Sequence, residues 1–281
     1  MTNIPSVCIM IPTYNQANYL VTAVKSALVQ DYCNMEIVIA DDNSTDHTAE
    51  VVKQFIENPI IKYKKNSENL GRVANYRKCL MEYTRANWVL NLDGDDYFTN
   101  PQFISQAMQA IQVNGINDTL FYQGVHILKY EEAEKFNFPN IIKLQECITS
   151  KDYFFKYFER NYFSHMATLY NRQLAIENDF YGINIISSDI FSFLSLCLKF
   201  GEKKVIVSKN IAGIWLQHDK NTSRTLYLKV HWNNFGLYIK LYCLAIEKGY
   251  DKLRSFKWLI KAGYNYWAGY ILKAIEIFNT K

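Results

Sequence analysis

The chain has 281 residues, of which 49% are hydrophobic and 21% charged, with a net charge of +4. That length suits one large α/β domain with an appendage or two small domains, and the composition is that of an ordinary globular protein rather than a disordered or fibrous one. Six scattered cysteines without a CxxC pair exclude a disulfide scaffold and a zinc finger, and the expected setting is a reducing cytoplasm. Residues 1–6 lack the basic segment that opens a secretory leader, and no apolar run approaches the length of a membrane span.

In chain order, a first apolar run at 7–11 enters Pro12-Thr-Tyr-Asn15, and apolar residues then recur at helical spacing over 17–30. A second run, from Glu36, stops at Asp41-Asp42-Asn-Ser-Thr-Asp46, whose last residues suit a cap for a helix over 48–56. Helical spacing returns at 73–83, and a third run, Trp88-Val-Leu-Asn-Leu, ends in Asp93-Gly-Asp-Asp96. Strands alternating with helices predict right-handed βαβ units and a mostly parallel sheet flanked by helices. Further on, 119–128 reads as a strand, 151–160 and 190–200 as helices, and 204–208 and 211–216 as two short strands. The charged stretch 129–140 breaks the periodicity and marks a soft boundary. Cys8, Cys79, Cys197 and Cys243 sit in apolar strings and read as small core residues.

The acids closing the third run carry the most information. In open α/β sheets, ligands gather beyond the carboxyl ends of the strands. Three carboxylates crowded there repel one another unless a cation offsets them, and hard divalent metals prefer oxygen ligands. Asp93, Asp95 and Asp96 therefore read as a metal or phosphate–metal site, against the plainer reading of an acidic helix-capping turn. Gly94 lets the backbone turn and keeps a side chain out of the approach path.

Taken together, Val7-Cys-Ile-Met-Ile-Pro-Thr-Tyr-Asn15, Tyr19-Leu20, Ser26, Gln30, the segment 36–46, Glu68-Asn-Leu-Gly71 and Asn91-Leu-Asp-Gly-Asp-Asp96 closely resemble the family-2 glycosyltransferases. The resemblance implies a GT-A fold with a C-terminal helical extension. Residues 1–130 would form the donor-binding half, 131–224 the acceptor-binding half, and 225–281 a basic aromatic helical region. It also implies transfer of a sugar from a nucleoside diphosphate, with inversion, to a glycan or lipid-linked acceptor, aided by Mn2+ or Mg2+. By the same resemblance Pro12, Thr13 and Tyr14 hold the nucleobase, with the tyrosine stacked on the ring. Asp42 accepts the imide N–H of uracil or thymine, which favours UDP or dTDP donors. Asp41 is a possible partner, although neighbouring strand residues face opposite ways. Arg72 could reach the diphosphate, Asp93 the ribose or phosphate side, and Asp95 the metal, with Asp96 an orienter or a structural acid. Asp189 of Ser188-Asp189 occupies the place of the general base, which removes the acceptor proton; the usual preceding glutamate is missing, and Asp179 is an alternative. His218 stands where a family histidine completes the metal or phosphate site. His47, His126, His165 and His231 have no partner visible in sequence and read as surface or core residues.

Other readings remain beside this one. A non-catalytic nucleotide-sugar binding module would keep the donor half and lose the base. A metal-dependent phosphatase would share Asp-x-Asp after a strand, but normally on the first strand of its chain. No GxGxxG or GxxxxGK[ST] loop is present, which excludes dinucleotide oxidoreduction and P-loop chemistry. Residues 226–281 carry nine Lys/Arg against three Asp/Glu, interleaved with aromatics, and Phe256, Leu259, Ile260, Tyr264, Trp267 and Ile271 share one helical face. Such a helix either packs on its own domain or gives the protein peripheral contact with an anionic membrane. No nucleic-acid recognition motif accompanies the charge.

Overall fold

The computed structural model describes residues 4–131, 136–137, 146–160, 163–218, 221 and 227–279. The first half contains β1 (Val7–Thr13), α1 (Ala17–Leu28), β2 (Met35–Asp41), α2 (Thr48–Lys53), β3 (Ile61–Lys65), α3 (Arg72–Lys78), β4 (Trp88–Asn91), β5 (Tyr97–Phe98), α4 (Phe103–Asn114) and β6 (Thr119–Tyr130). The second contains β7 (Phe136–Asn137), β8 (Glu146–Thr149), α5 (Ser150–Arg160), β9 (Thr168–Asn171), α6 (Arg172–Glu177), α7 (Ser188–Lys199), β10 (Lys204–Gln217), α8 (Leu228–Glu247) and α9 (Lys252–Asn279). A single π-helical turn, Cys79–Tyr83, extends α3.

Among the described residues the strands form one sheet in the order β3-β2-β1-β4-β9-β6-β10-β5, with β7 beside β6 and β8 beside β10. β1, β2, β3 and β4 are mutually parallel, as are β6 and β10. β9 runs against both of its neighbours and joins the two parallel blocks. Helices cover both faces, as a parallel sheet requires. β1 shows why: every residue is buried, with Val7, Ile9 and Ile11 facing α1 and α4, and Cys8 and Met10 facing the layer of α3, α5 and α7. The expected mixed, mostly parallel α/β architecture is present, as is the helical C-terminal extension.

Several details depart from expectation. The helices over 17–30 and 48–56 stop earlier, at Leu28 and Lys53. The two short strands after residue 203 are one strand, β10, kept continuous by irregularities at Val207/Ile211 and Ile211/Gly213. β3, α4 and β9 were not anticipated; β9 is only four residues long and owes its place to pairing on both sides. Cys8, Cys79 and Cys197 are core residues, but Cys243 is exposed. The expected boundary at 129–140 falls largely outside the described residues. The C-terminal stripe is divided: Leu259 packs against the core and Trp267 against Trp232 and Phe235 of α8, while Phe256, Ile260, Tyr264 and Ile271 face solvent, and α9 buries Ser255, Trp258 and Ala262. No described helix is long and apolar enough to cross a membrane.

Gly213 sits where β10 meets β5, and a Cβ there would lie 2.1 Å from the Tyr97 carbonyl oxygen and 2.7 Å from the Phe98 Cα. Backbone on that side cannot yield cheaply. Gly213→Ala is expected to destabilise the protein by roughly 1–3 kcal/mol in urea unfolding, the usual range for overpacking.

Candidate functional site

Loops at the carboxyl ends of β1, β2 and β4 open into one cleft of about 990 Å³. They are tied together from below. Asn15, in a left-handed conformation at φ 52°, accepts the Thr45 and Asp46 N–H groups and donates its own N–H to the Ser44 hydroxyl. Asp46 accepts the Thr48 N–H at the start of α2 and the Ala17 N–H at the start of α1. Ser26 and Gln30, on and just after α1, hold the chain beyond Asp96 by accepting from the Phe98 and Ile104 N–H groups.

Pro12, Thr13, Tyr14, Asp42, Arg72, Asp93, Asp95, Asp96, Asp189 and His218 all line this cleft; Asp41 and Gly94 do not. Asp41 is fully buried, accepting from the Ser44 N–H at 2.8 Å and the Tyr63 hydroxyl at 2.6 Å, so it supports β2 and β3 and faces no ligand. Gly94 packs against β1: a Cβ there would lie 2.6 Å from Gln16 Oε1 and 2.9 Å from Thr13 Oγ1. Its small size serves close packing rather than an open approach path. Asp179 pairs with Arg77 at 2.6 Å on the surface, outside the cleft lining.

Asp42 lines the cleft but is heavily engaged. Its Oδ1 accepts from Leu70 N–H and the Asn66 amide, and its Oδ2 from Gly71 N–H at 2.8 Å. Gly71 makes this possible with φ 85°, a conformation that disfavours any side chain. One lone pair on Oδ2 remains for a further donor.

The three acids after β4 meet three different elements. Tyr76 of α3 donates its hydroxyl to Asp93 Oδ1 at 2.6 Å. His218, at the exit of β10, places Nε2 2.9 Å from Asp95 Oδ2, and its ring stacks on Tyr19 with centroids 5.0 Å apart. Asp96 accepts the Leu216 N–H at 3.0 Å and is almost wholly buried, which marks it as the acid that fixes β10. Burial and the Asp93 charge raise Asp95 above the ordinary carboxylate range, against the lowering contact of His218. Burial and the charges of Asp95 and Asp93 likewise push Asp96 well up. The cluster is therefore short of positive charge.

Asp189, which lines the same cleft, lies in the first turn of α7. Behind it, His165 Nδ1 is 3.9 Å from Asp189 Oδ2, and His165 Nε2 contacts the Tyr181 hydroxyl at 2.7 Å. Burial lowers the His165 pKa, favouring the neutral ring. Arg72 donates to the Ile186 carbonyl at 2.6 Å and lies over the Tyr76 ring. Burial opposes its charge, but Tyr76, Asp189 and Asp93 outweigh that and raise its pKa. His165 and Tyr76 thus belong to the site although no motif exposed them, and Tyr19 of the Tyr19-Leu20 motif and Asn221 line it as well. His126 and His231 also have partners, Ser164 and Tyr266.

Two consequences can be measured. Asn91 lines the cleft with both amide atoms buried and without a hydrogen-bond partner among the described protein atoms. Replacing an unsatisfied buried amide by an apolar group of similar size removes a desolvation penalty of about 1–3 kcal/mol, so Asn91→Leu is expected to raise the melting temperature. Burial pushes His126 down to about 4. The unfolded chain takes up that proton first, so stability should be intact above pH ~6.5 and fall as pH drops towards 4, by about 3 kcal/mol in all. Urea unfolding at pH 7 and pH 5 checks this, and His126→Gln should flatten the difference.

A profile of the family described as "Glycosyl transferase family 2" matches residues 8–178. An uncharacterised glycosyltransferase of Haemophilus influenzae is 26% identical over 266 residues, spanning 92% of this chain and 98% of the relative. Escherichia coli WfaP, a UDP-Glc:alpha-D-GlcNAc-diphosphoundecaprenol beta-1,3-glucosyltransferase, is 34% identical over 100 residues, 36% of this chain and 39% of the relative. The solved structure of S. aureus TarS in complex with UDP-GlcNAc superposes with a TM-score of 0.72 at 17% identity, covering 90% of this chain and 70% of that one. The mannosyltransferase PcManGT from Pyrobaculum calidifontis, in complex with GDP-Man and Mn2+, gives 0.60 at 13% identity over 99% and 80%. These likenesses show a GT-A-like fold, and the profile match extends over more than half of the chain. The protein belongs to glycosyl transferase family 2 and is a glycosyltransferase that uses a nucleotide-sugar donor.

Proposed function

We propose that the enzyme transfers a sugar, with inversion and with the help of a divalent cation, from a UDP- or dTDP-sugar to a hydroxyl of a glycan or lipid-linked acceptor. The observation that carries this reading is one cleft lined by Asp93, Asp95 and His218 together with Asp189. Residues 1–130 and 131–224 are its donor and acceptor halves, and 225–281 a helical appendage.

On the donor side, Pro12, Thr13 and Tyr14 receive the base, and Tyr14, half exposed, is free to stack on it. The remaining lone pair of Asp42 suits the imide N–H of a uracil or thymine. Asp93 meets the ribose or phosphate side, and Arg72 adds a cation beside the diphosphate. Asp95 and His218 are the groups that would hold Mn2+ or Mg2+. No cluster of three His, Cys, Asp or Glu side chains is assembled among the described residues, so the fit is that of a cation shared with substrate. Hard cations bound by one or two side chains complete their shell with phosphate oxygens and water. The cation, when bound, supplies positive charge to the departing nucleoside diphosphate.

On the acceptor side, Asp189 takes the proton from the attacking hydroxyl. His165 backs its carboxylate, and the Ile186–Arg72 hydrogen bond fixes the loop that precedes α7. The E. coli relative's diphosphoundecaprenol acceptor and the TarS complex with UDP-GlcNAc support a lipid-linked acceptor and a uridine donor.

A thermal-shift screen of UDP-, dTDP-, GDP- and CMP-sugars with Mn2+ should single out a UDP- or dTDP-sugar, since a ligand that binds only the folded state raises its stability. Donor turnover should require the metal. Asp95→Ala should reduce it by about 100-fold or more. Asp189→Asn should keep nucleotide affinity while lowering turnover by roughly 10²–10⁴. Near-normal turnover in Asp189→Asn would remove that residue from the base role, and a GDP-sugar giving the largest shift would overturn the donor assignment.

A further inference from the structure

α8 and α9 form an antiparallel pair: Trp232 meets Trp267 at 4.9 Å, and Tyr242 meets Phe256 at 6.4 Å. The pair is fixed to the body on one side. Trp258 donates its indole N–H to the Phe154 carbonyl, and Arg254 and Lys261 pair with Asp152 and Glu159 of α5. Half a turn away, the helix shows the opposite of what burial would produce. Phe256, Ile260, Tyr264 and Ile271 recur at helical spacing and are 49%, 59%, 76% and 56% exposed. On α8, Leu228, Trp232 and Ile239 are also exposed, at 56%, 60% and 46%.

Lys229, Lys240, Lys252 and Lys257 are exposed on the same two helices. Between residues 227 and 272 the acids are Glu247 and Asp251 alone. We infer that this hairpin is a docking face for an anionic lipid surface, with its aromatic and aliphatic stripe entering the acyl boundary and its lysines meeting the headgroups. An exposed apolar stripe bordered by lysines and rich in Trp and Tyr is the chemistry that interfacial helices use. Charge also selects among occupants: a second copy of the chain would bring an equally positive face against this one, whereas a negatively charged bilayer complements it.

The placement has a use. Asn234, two residues beyond Trp232, accepts the Ser187 N–H at 3.4 Å, and Ser187 lines the cleft immediately before α7. The docking face therefore begins beside the acceptor wall, so a lipid-borne acceptor could enter without leaving the bilayer. That last step rests on the proposed transfer reaction, but the docking itself does not.

Co-sedimentation of the full chain with vesicles tests the docking without any sugar donor. Binding is expected to phosphatidylcholine vesicles containing about 30% phosphatidylglycerol, and not to phosphatidylcholine alone. It should be lost near 0.5 M NaCl, where the screening length falls to a few ångströms. Phe256→Ser/Ile260→Ser/Tyr264→Ser should weaken it by about tenfold or more, because the inserted apolar area is removed. These side chains are half exposed or more, so the melting temperature should hold. Should it drop, Lys229→Glu/Lys240→Glu/Lys257→Glu, with the same expected loss of binding, decides instead. Three results would overturn the inference: no sedimentation with anionic vesicles, unchanged binding by the variants, or a dimer in light scattering that the triple serine variant dissolves. A protein that binds vesicles but turns over no nucleotide sugar would leave the docking intact and sink the transferase reading instead.

Discussion

Three carboxylates packed within four residues at the end of β4 are the constraint around which the molecule is arranged. Taking them out of water is costly, and each must find a donor or leave the site unstable. The donors come from far apart in the chain: the Tyr76 hydroxyl from α3, the Leu216 N–H from β10, and the His218 ring just beyond it. Satisfying the acids therefore binds α3, β4 and the far parallel block into one unit. The bulges of β10 and the missing side chain at Gly213 follow from the same demand, since they let a fourteen-residue strand bend past β5 and still deliver Leu216 and His218.

Much of this could be read before any coordinates. The strands β1, β2 and β4 are fully or largely buried apolar runs ending in polar loops, a pattern that survives without knowledge of neighbours. Ten of the twelve proposed site residues do converge on one cleft. What escaped was tertiary in origin. β9 is a four-residue strand that only its two partners make a strand. His165 and Tyr76 become interesting only when the fold sets one behind Asp189 and the other against Asp93. Periodicity identified the stripe on α9, but it cannot say which side of a helix faces the body; the Trp258–Phe154 contact decided that.

The acids of the cleft region have two fates, and burial separates them. Asp41, Asp42 and Asp96 are 0%, 2% and 4% exposed and accept backbone N–H groups, of Ser44 in the same loop, of Gly71 before α3 and of Leu216 in β10 respectively. Asp95 and Asp189 retain partly open side chains, and each faces a histidine rather than a backbone donor. A backbone amide keeps its charge state and position, so Asp41 and Asp96 only build, and Asp42 keeps a single lone pair to offer. An imidazole can donate, accept or move with its ring, so the second group keeps the capacity to exchange a partner for a ligand. Counting acids in a motif overstates the number available for chemistry, because half of them are consumed in holding the other half in place.

Arg72 sharpens this division. Its guanidinium is held by the Ile186 carbonyl and by the field of Tyr76, Asp189 and Asp93. A fixed positive charge there offsets part of the repulsion between Asp93 and Asp189. A change of charge beside Asp93 or beside Asp189 is then felt by the same arginine. The two halves of the cleft are electrostatically joined through a residue of α3, the same helix that supplies Tyr76 to Asp93. Asp93, Asp189 and the helix that carries Arg72 and Tyr76 form one electrostatically coupled assembly, which Arg72 alone leaves short of positive charge.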